Sequence, residues 1–226
     1  MTLPSHSDDN LIAQMRQNFF CALLSDTLDE LGHMHQALPA RIRPLDDSLV
    51  MVGRARTMLY ADVYARPQAG ENPYELEIKL VDSLQADEVA VCACGGTGRI
   101  APWGGLLSTA SKVRGAAGAL MDGMVRDIRH VRELAFPLFH AGIGPLDSKG
   151  RGEVIAIDVP VECAGVRINP GDIVFGDADG VVVIPQAIET EVVALAYEKL
   201  KGENKTRDAL LAGRRLADVF DEFGVL

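Results

Sequence analysis

The sequence predicts an α/β fold, with a central layer of mixed strands flanked by helices, in one domain over residues 1–226. Three observations lead there. Short β-patterned runs, some alternating and some continuously apolar, are interleaved with capped helical patterns through the first two thirds of the chain. A cluster of strand signals follows, and charged amphipathic helices come last. With 226 residues and 48% hydrophobic content, the chain is long enough and apolar enough to bury a full core.

Taken in order, residues 1–10 are polar and read as a loose tail, and Asp9 or Asn10 can cap a helix running from Leu11 to about Cys21. Ser25 or Asp26 starts a second, short helix with Leu28 and Leu31 facing inward and Gly32 ending it. Residues 33–48 are loop-like, and the His33-x-His35 pair there lacks a third metal ligand nearby. Residues 50–58 alternate as a half-buried strand does, 66–73 form a polar loop, 74–84 a helix and 87–93 a buried strand. That strand ends in Cys94-Gly95-Gly96-Thr97-Gly98, which lacks the Lys-Ser/Thr of a P-loop and the spacing of a dinucleotide fingerprint.

Gly104-Gly105 then open a helix over 106–114, a turn at 115–118 leads to an apolar strand at 119–121, and Arg126-Asp127 open a helix over 128–135. Residues 136–142 make a strand entered through Pro137, and β character continues through 151–159 and 161–168. Asn169-Pro170-Gly171-Asp172 is a turn, and 173–185 reads as a hairpin around Asp179-Gly180. Asp177 and Asp179 belong to that turn, since the loop is far too short for an EF-hand. Residues 186–216 form one or two charged helices, and the tail at 216–226 mixes apolar residues with acids, as suits a subunit contact.

Composition narrows the function. The net charge of −10, a pI near 4.9 and the lack of a basic stripe argue against nucleic acid and for a small-molecule or protein partner. No apolar run is long enough to span a membrane and no signal peptide is visible, so the expectation is a cytoplasmic protein. Cys21, Cys92, Cys94 and Cys163 show no paired framework. Cys92 and Cys94 share a strand face, which makes them core thiols.

The chemistry gathers between residues 104 and 127. A helix that starts on two glycines leaves its first backbone N–H groups open to an anion. Arg126 brings a fork that matches a carboxylate and can stabilise an enolate. Asp127 supplies one carboxylate, which is enough for magnesium when water and substrate oxygens complete the shell. A 2-oxo acid would chelate that metal through its keto oxygen and one carboxylate oxygen, with the other carboxylate oxygen against the N–H groups of Leu106 and Leu107. An aspartate just before a helix is equally an ordinary N-cap, and Arg126 equally an ion-pair residue. Arg66, Tyr74 and Trp103 are expected to shape the pocket.

The runs Trp103-Gly104-Gly105-Leu106-Leu107-Ser108-Thr109-Ala110, Gly115-Ala116-Ala117-Gly118 and Asp122-Gly123-Met124-Val125-Arg126-Asp127 resemble the RraA-like family. That family includes the regulator of ribonuclease activity A and the class II 4-hydroxy-4-methyl-2-oxoglutarate aldolases. Its signature is a glycine, twenty residues, Arg-Asp, two residues and an acid, and Gly105 stands 21 positions before Arg126. Ser25-Asp26-Thr27-Leu28-Asp29 and the run 171–181 extend the likeness.

The resemblance implies a compact α/β/β/α sandwich of the swivelling-domain type, assembled as a homotrimer or homohexamer with sites between subunits. It implies substrate contacts at Gly104, Gly105, Leu106, Leu107 and Arg126, and Mg2+ or Mn2+ at Asp127. It implies retro-aldol cleavage to pyruvate or decarboxylation of oxaloacetate. The alternative within the family is a non-catalytic regulator that binds a protein such as a ribonuclease. A transferase acting on a quinone precursor has no cofactor motif to support it. Two positions depart from the pattern: His130 stands where the signature has an acid, and Gly105 where many aldolase members carry one. His130 suits a base near neutral pH or a helix surface. Glu203, with Glu198 on the same helix, is the candidate acid lent by a neighbouring subunit.

Overall fold

The computed structural model describes residues 8–225. Two helices come first, α1 (Asp8–Asn18) and α2 (Cys21–Glu30), then β1 (Arg43–Pro44), β2 (Met51–Asp62), α3 (Glu75–Ser83) and β3 (Glu88–Ala93). The middle of the chain holds α4 (Gly105–Val113), β4 (Gly118–Met121), β5 (Met124–Val125), α5 (Ile128–Leu134), β6 (Leu138–His140) and β7 (Gly142–Ile143). Next come β8 (Gly152–Ile157), β9 (Val161–Cys163), β10 (Val166–Ile168), β11 (Ile173–Asp177) and β12 (Gly180–Ile184). A 3-10 turn (Gln186–Ile188), α6 (Glu189–Leu211) and α7 (Leu216–Phe223) follow.

Eight strands form one mixed sheet in the order β1-β6-β4-β3-β2-β11-β12, with β8 also on β2. The strand β2 holds it together because it is long enough to serve three partners. Residues 51–54 pair antiparallel with β11, 54–59 parallel with β3 and 58–62 antiparallel with β8. A register shift between Leu59 and Tyr60 marks the β8 pairing. The chain also nearly closes the sheet. Leu38 N–H donates to Val181 O and Val183 N–H to Gln36 O at the β12 edge, while β1 pairs with β6 at the other edge. Residues 36–44 therefore reach both edges, which leaves few unpaired strand groups.

Strand alternation sorts side chains into an inner core and two outer ones. Val89, Val91, Leu120, Phe139, Val174 and Val183 point inside the curled sheet, where the β9–β10 hairpin adds Val161, Cys163 and Ile168. Ala90, Cys92, Met121 and Leu138 point outward under α3, α4 and α5. Val52, Phe175, Val182 and Ile184 point outward under α1, α2 and α6. Two helical layers on the outside of a folded-over sheet are the expected α/β/β/α arrangement. All four cysteines are buried and free, as their spacing predicts.

Several local expectations are corrected. Residues 8–10 are helical, so α1 begins earlier than the polar tail suggests, and the tail expected at 1–7 lies outside the described residues. Ser25 and Asp26 lie inside α2 rather than capping it. The cap comes from the other end of the chain: Asp177 Oδ2 accepts the Cys21 N–H at 2.8 Å, a tertiary contact with no local sequence signal. Asp177 Oδ1 takes the Asp179 N–H at 2.9 Å, as turn chemistry predicts. The strand expected at 136–142 is interrupted, giving β6 and then β7, which pairs with β5. The tail helix α7 buries Val219 and leaves Phe220 outside.

Gly53 marks the tightest point of the sheet, since a Cβ there would lie 2.2 Å from the backbone oxygen of Asp87. Gly53→Ala is therefore expected to destabilise the protein by roughly 1–3 kcal/mol, the usual cost of overpacking. Chemical denaturation would show this as a lower midpoint with an unchanged slope.

Candidate functional site

The two ends of the 104–127 stretch meet through the backbone. Trp103 bridges Val125 in parallel, and the Arg126 N–H donates to Trp103 O at 2.9 Å. Trp103 is fully buried, and its indole N–H donates to Ser108 Oγ at 2.9 Å, which ties the first turn of α4 to the strand before it. Trp103 is thus a core anchor rather than a pocket wall. Gly104 lets the two chains touch: a Cβ there would stand 2.5 Å from Asp127 Oδ2 and 3.0 Å from Arg126 Cγ. No other residue type fits without moving the pair.

Asp127 occupies the N-cap position of α5 in the left-handed region, with φ 56°, yet its side chain makes no bond to that helix. Its Oδ2 instead accepts the Gly105 N–H at 3.0 Å, at the start of α4. Asp127 is a cap, but for the other helix, and a negative charge at a helix N-terminus is favoured by the dipole. Among the described residues nothing accepts the next two N–H groups, those of Leu106 and Leu107. The Leu106 side chain points into solvent. The opening of α4 therefore has donors to spare beside an arginine.

Arg126 Nη2 lies 3.3 Å from Asp147 Oδ1, and Asp147 Oδ2 accepts the Tyr74 hydroxyl at 2.6 Å. Burial, and then the bond to Asp147, pushes the Tyr74 phenol up to about 12. Behind this trio, Glu77 is only 5% exposed and accepts the Tyr60 hydroxyl at 2.5 Å. Burial pushes the Glu77 carboxyl up to about 7. The Tyr60 bond offsets part of that, Asp147 adds to it and Arg126 opposes it. Arg126, Asp127, Ile128, Ile143, Gly144 and Pro145 line an open cavity of about 420 Å³ in front of the pair.

Of the residues singled out from sequence, the structure brings Gly104, Gly105, Arg126 and Asp127 together, with Leu106 and Leu107 on the adjoining turn. It adds His130, exposed on α5: a Cβ on Gly105 would lie 3.3 Å from His130 Cβ. The two departures from the family signature therefore face each other. Glu203 does not join this group. It lies on α6, lines a separate cavity of about 320 Å³ against α2 and sits 3.9 Å from Arg207. Asp147 and Glu77 went unnoticed in the sequence. Asp147 follows Gly144-Pro145 and reads as a turn residue. Glu77 did carry a signal, since it shares the buried stripe of α3 with Leu80 and Val81.

Among the described residues no group of three or more His, Cys, Asp or Glu side chains could hold a metal. Among the described residues Asp127 Oδ1 receives no hydrogen bond and the side chain is exposed, which leaves one carboxylate oxygen open there. That donor set suits an ion that keeps most of its waters, as Mg2+ does, and does not suit zinc.

A nearly closed mixed sheet between two helical layers, with Arg126 and Asp127 lining one open cavity and Asp127 bonded to the start of α4, defines an α/β protein whose candidate site sets an arginine and an aspartate side by side. A model of the RraA-like family, described as Aldolase/RraA, matches residues 21–183, and the chain belongs to that family. A protein of Halalkalibacterium halodurans, provisionally named a 4-hydroxy-4-methyl-2-oxoglutarate aldolase, is 33% identical over 94% of each chain. A Thermus thermophilus protein named 4-hydroxy-4-methyl-2-oxoglutarate aldolase is 30% identical over 70% of this chain and 90% of its own. The crystal structure of Streptomyces coelicolor RraAS2, described as an unusual member of the RNase ES inhibitor RraA protein family, superposes with a TM-score of 0.78. The two are 28% identical, over 90% of this chain and 98% of that one.

The raised Glu77 carboxyl has a stability consequence. The folded state holds the proton up to about pH 7, while the unfolded chain releases it near 4.5. The stability this proton contributes is complete below pH 4.5 and is lost as pH rises through 7. Glu77→Gln stays neutral throughout, so it is expected to match the wild type at pH 4 and exceed it by about 3 kcal/mol at pH 8. Urea titrations at the two pH values measure the difference.

Proposed function

We propose that this protein is a lyase that cleaves a carbon–carbon bond in a small 2-oxo acid with the help of a divalent metal. The reading rests on one observation: Arg126 and Asp127 line an open cavity, and the Asp127 carboxylate is bonded to the start of α4, where the Leu106 and Leu107 N–H groups are open. The substrate carboxylate lies between Arg126 and the N–H groups of Leu106 and Leu107, a bidentate and dipole-assisted grip. Asp127 would hold Mg2+ or Mn2+, which when bound supplies Lewis acidity at the keto oxygen.

In retro-aldol cleavage the proton leaves the C4 hydroxyl, the C3–C4 bond breaks and its electron pair forms the enolate of pyruvate. Decarboxylation of oxaloacetate reaches the same enolate with loss of CO2. Arg126 stabilises that enolate through its positive charge. His130 stands where the family pattern has an acid, and we assign it the movement of the proton. A homotrimer or homohexamer is part of the same reading, supported by the exposed Leu211, Leu216 and Phe220 on the C-terminal helices. Among the described residues no helix is long and apolar enough to cross a membrane, which fits a cytoplasmic enzyme.

A second reading, a regulator that binds a ribonuclease, is favoured by the absence of acids at 105 and 130 and by the likeness to Streptomyces coelicolor RraAS2. Oxaloacetate and 4-hydroxy-4-methyl-2-oxoglutarate turnover with and without Mg2+ separates the two, alongside a ribonuclease pull-down. The lyase reading predicts metal-dependent pyruvate release. It predicts a loss of roughly 100-fold or more in kcat/KM for Arg126→Ala and for Asp127→Ala. Gly104→Ala is expected to fold and lose at least about tenfold, because its Cβ displaces the Asp127 carboxylate. Turnover untouched by these changes would rule the reading out, and ribonuclease capture without turnover would establish the second.

A further inference from the structure

The cavity at Arg126 and Asp127 is charged in one part of its lining and apolar in the rest. Ile128, Ile143, Gly144 and Pro145 complete that lining, and none of them carries a charge. Ile143 is 58% exposed, so apolar surface stays open there. Arg126 is the one cation among the described residues that line the cavity. Of the other arginines nearby in the chain, Arg129 pairs with Glu133 at 3.0 Å and Arg151 donates to Asp147 O at 3.1 Å, and neither lines the cavity. The charge beside Arg126 is negative. Asp147 Oδ1 lies 3.3 Å from Arg126 Nη2, and the Tyr74 hydroxyl holds Asp147 Oδ2 at 2.6 Å. The Ala101 N–H pins the same loop through Leu146 O at 2.7 Å. The Asp147 carboxylate is thus fixed in place, on the loop that also gives the cavity Gly144 and Pro145.

We propose that the site selects a 2-oxo acid with a single carboxylate and an uncharged, apolar far end, and that Asp147 is the residue that discriminates against a second carboxylate. The inference rests on the reading of Arg126 as the carboxylate anchor, and it names the substrate class of that site. One guanidinium, already shared with Asp147, has room for one ligand carboxylate. A second carboxylate would lose water against Ile128, Ile143 and Pro145 with no cation to replace it. It would also meet the fixed negative charge of Asp147, and like charges set close together are a strong discriminator. An alkyl group gains from the same walls. Given a hydroxyl on C4, such an acid loses the hydroxyl proton and its C3–C4 bond breaks. The electron pair goes to the enolate of pyruvate, which takes up a proton at C3, and C4 leaves as an aldehyde or ketone carrying the apolar group. Asp147 touches Arg126 and no reacting atom, so its part is specificity.

The test is calorimetric titration with 2-oxopentanoate and with 2-oxoglutarate, at neutral pH in the presence of Mg2+. The two ligands have the same carbon chain, and a methyl group in the first stands where the second has a carboxylate. The wild type is expected to bind 2-oxopentanoate at least about tenfold more tightly. Asp147→Asn keeps an acceptor for Tyr74 and removes the charge. It is expected to narrow the ratio of the two Kd values several-fold, through tighter 2-oxoglutarate binding. A merely structural Asp147 would weaken both ligands alike and leave the ratio where it was. Ile143→Lys puts a cation on the apolar wall at an exposed position, where folding is not at stake, and is expected to narrow the ratio about tenfold. It decides the matter if Asp147→Asn does not fold. Equal or tighter binding of 2-oxoglutarate by the wild type, or a ratio unmoved in a folded variant, overturns the proposal and leaves the carboxylate anchor standing. Binding of neither ligand by the wild type overturns both.

Discussion

Residue 104 has no side chain, and in the space this leaves the Asp127 carboxylate lies across the start of α4 and takes the Gly105 N–H. This contact fixes more than one helix end. It ties the start of α4 to the start of α5, and it keeps the Arg126-Asp127 pair against Gly104. It also leaves Asp127 Oδ1 without a hydrogen bond among the described residues. The left-handed backbone at Asp127 is the price of that arrangement, and aspartate tolerates it better than most residues. The buried Trp103 and its bridge to Val125 supply the rigid backing that keeps so close an approach in register.

The scaffold behind the contact is built around β2. A 12-residue strand with three partners curls the sheet until residues 36–44 reach both edges. Buried Asp122 accepts N–H groups from Cys94, Gly96 and Ala164, so the glycine loop after β3 and the β9–β10 turn share one acceptor at the end of β4. Two N–H groups of the glycine-rich loop after β3 are therefore taken by the protein's own carboxylate. This is a structural use of donors that a nucleotide would otherwise require.

The sequence made the strands, the late hairpin and the helices around 105 and 128 legible, because each carries its own periodicity and turn residues. It also made the pairing of Gly104-Gly105 with Arg126-Asp127 legible, through the family spacing. Long-range supply was hidden. Asp177 caps α2 from 156 positions away, so Ser25 and Asp26 looked like the cap and are not. Asp147 looked like a turn residue because nothing local announces that its carboxylate meets Arg126 and Tyr74. Glu77 was different: an acid in the buried stripe of α3 is visible as an inconsistency, and such inconsistencies gather at functional sites.

The electrostatics follow from having one cation among several acids. In a chain of net charge −10, Arg126 is the positive charge that lines the cavity beside Asp127, and Asp147 holds it without burying it. The account therefore stands or falls on where a small 2-oxo acid binds. A crystal structure of the protein with Mg2+ and pyruvate tests it most directly. The predicted result has the pyruvate carboxylate between Arg126 and the N–H groups of Leu106 and Leu107, with the metal on Asp127. Pyruvate bound elsewhere, with Arg126 still paired only to Asp147, would contradict it.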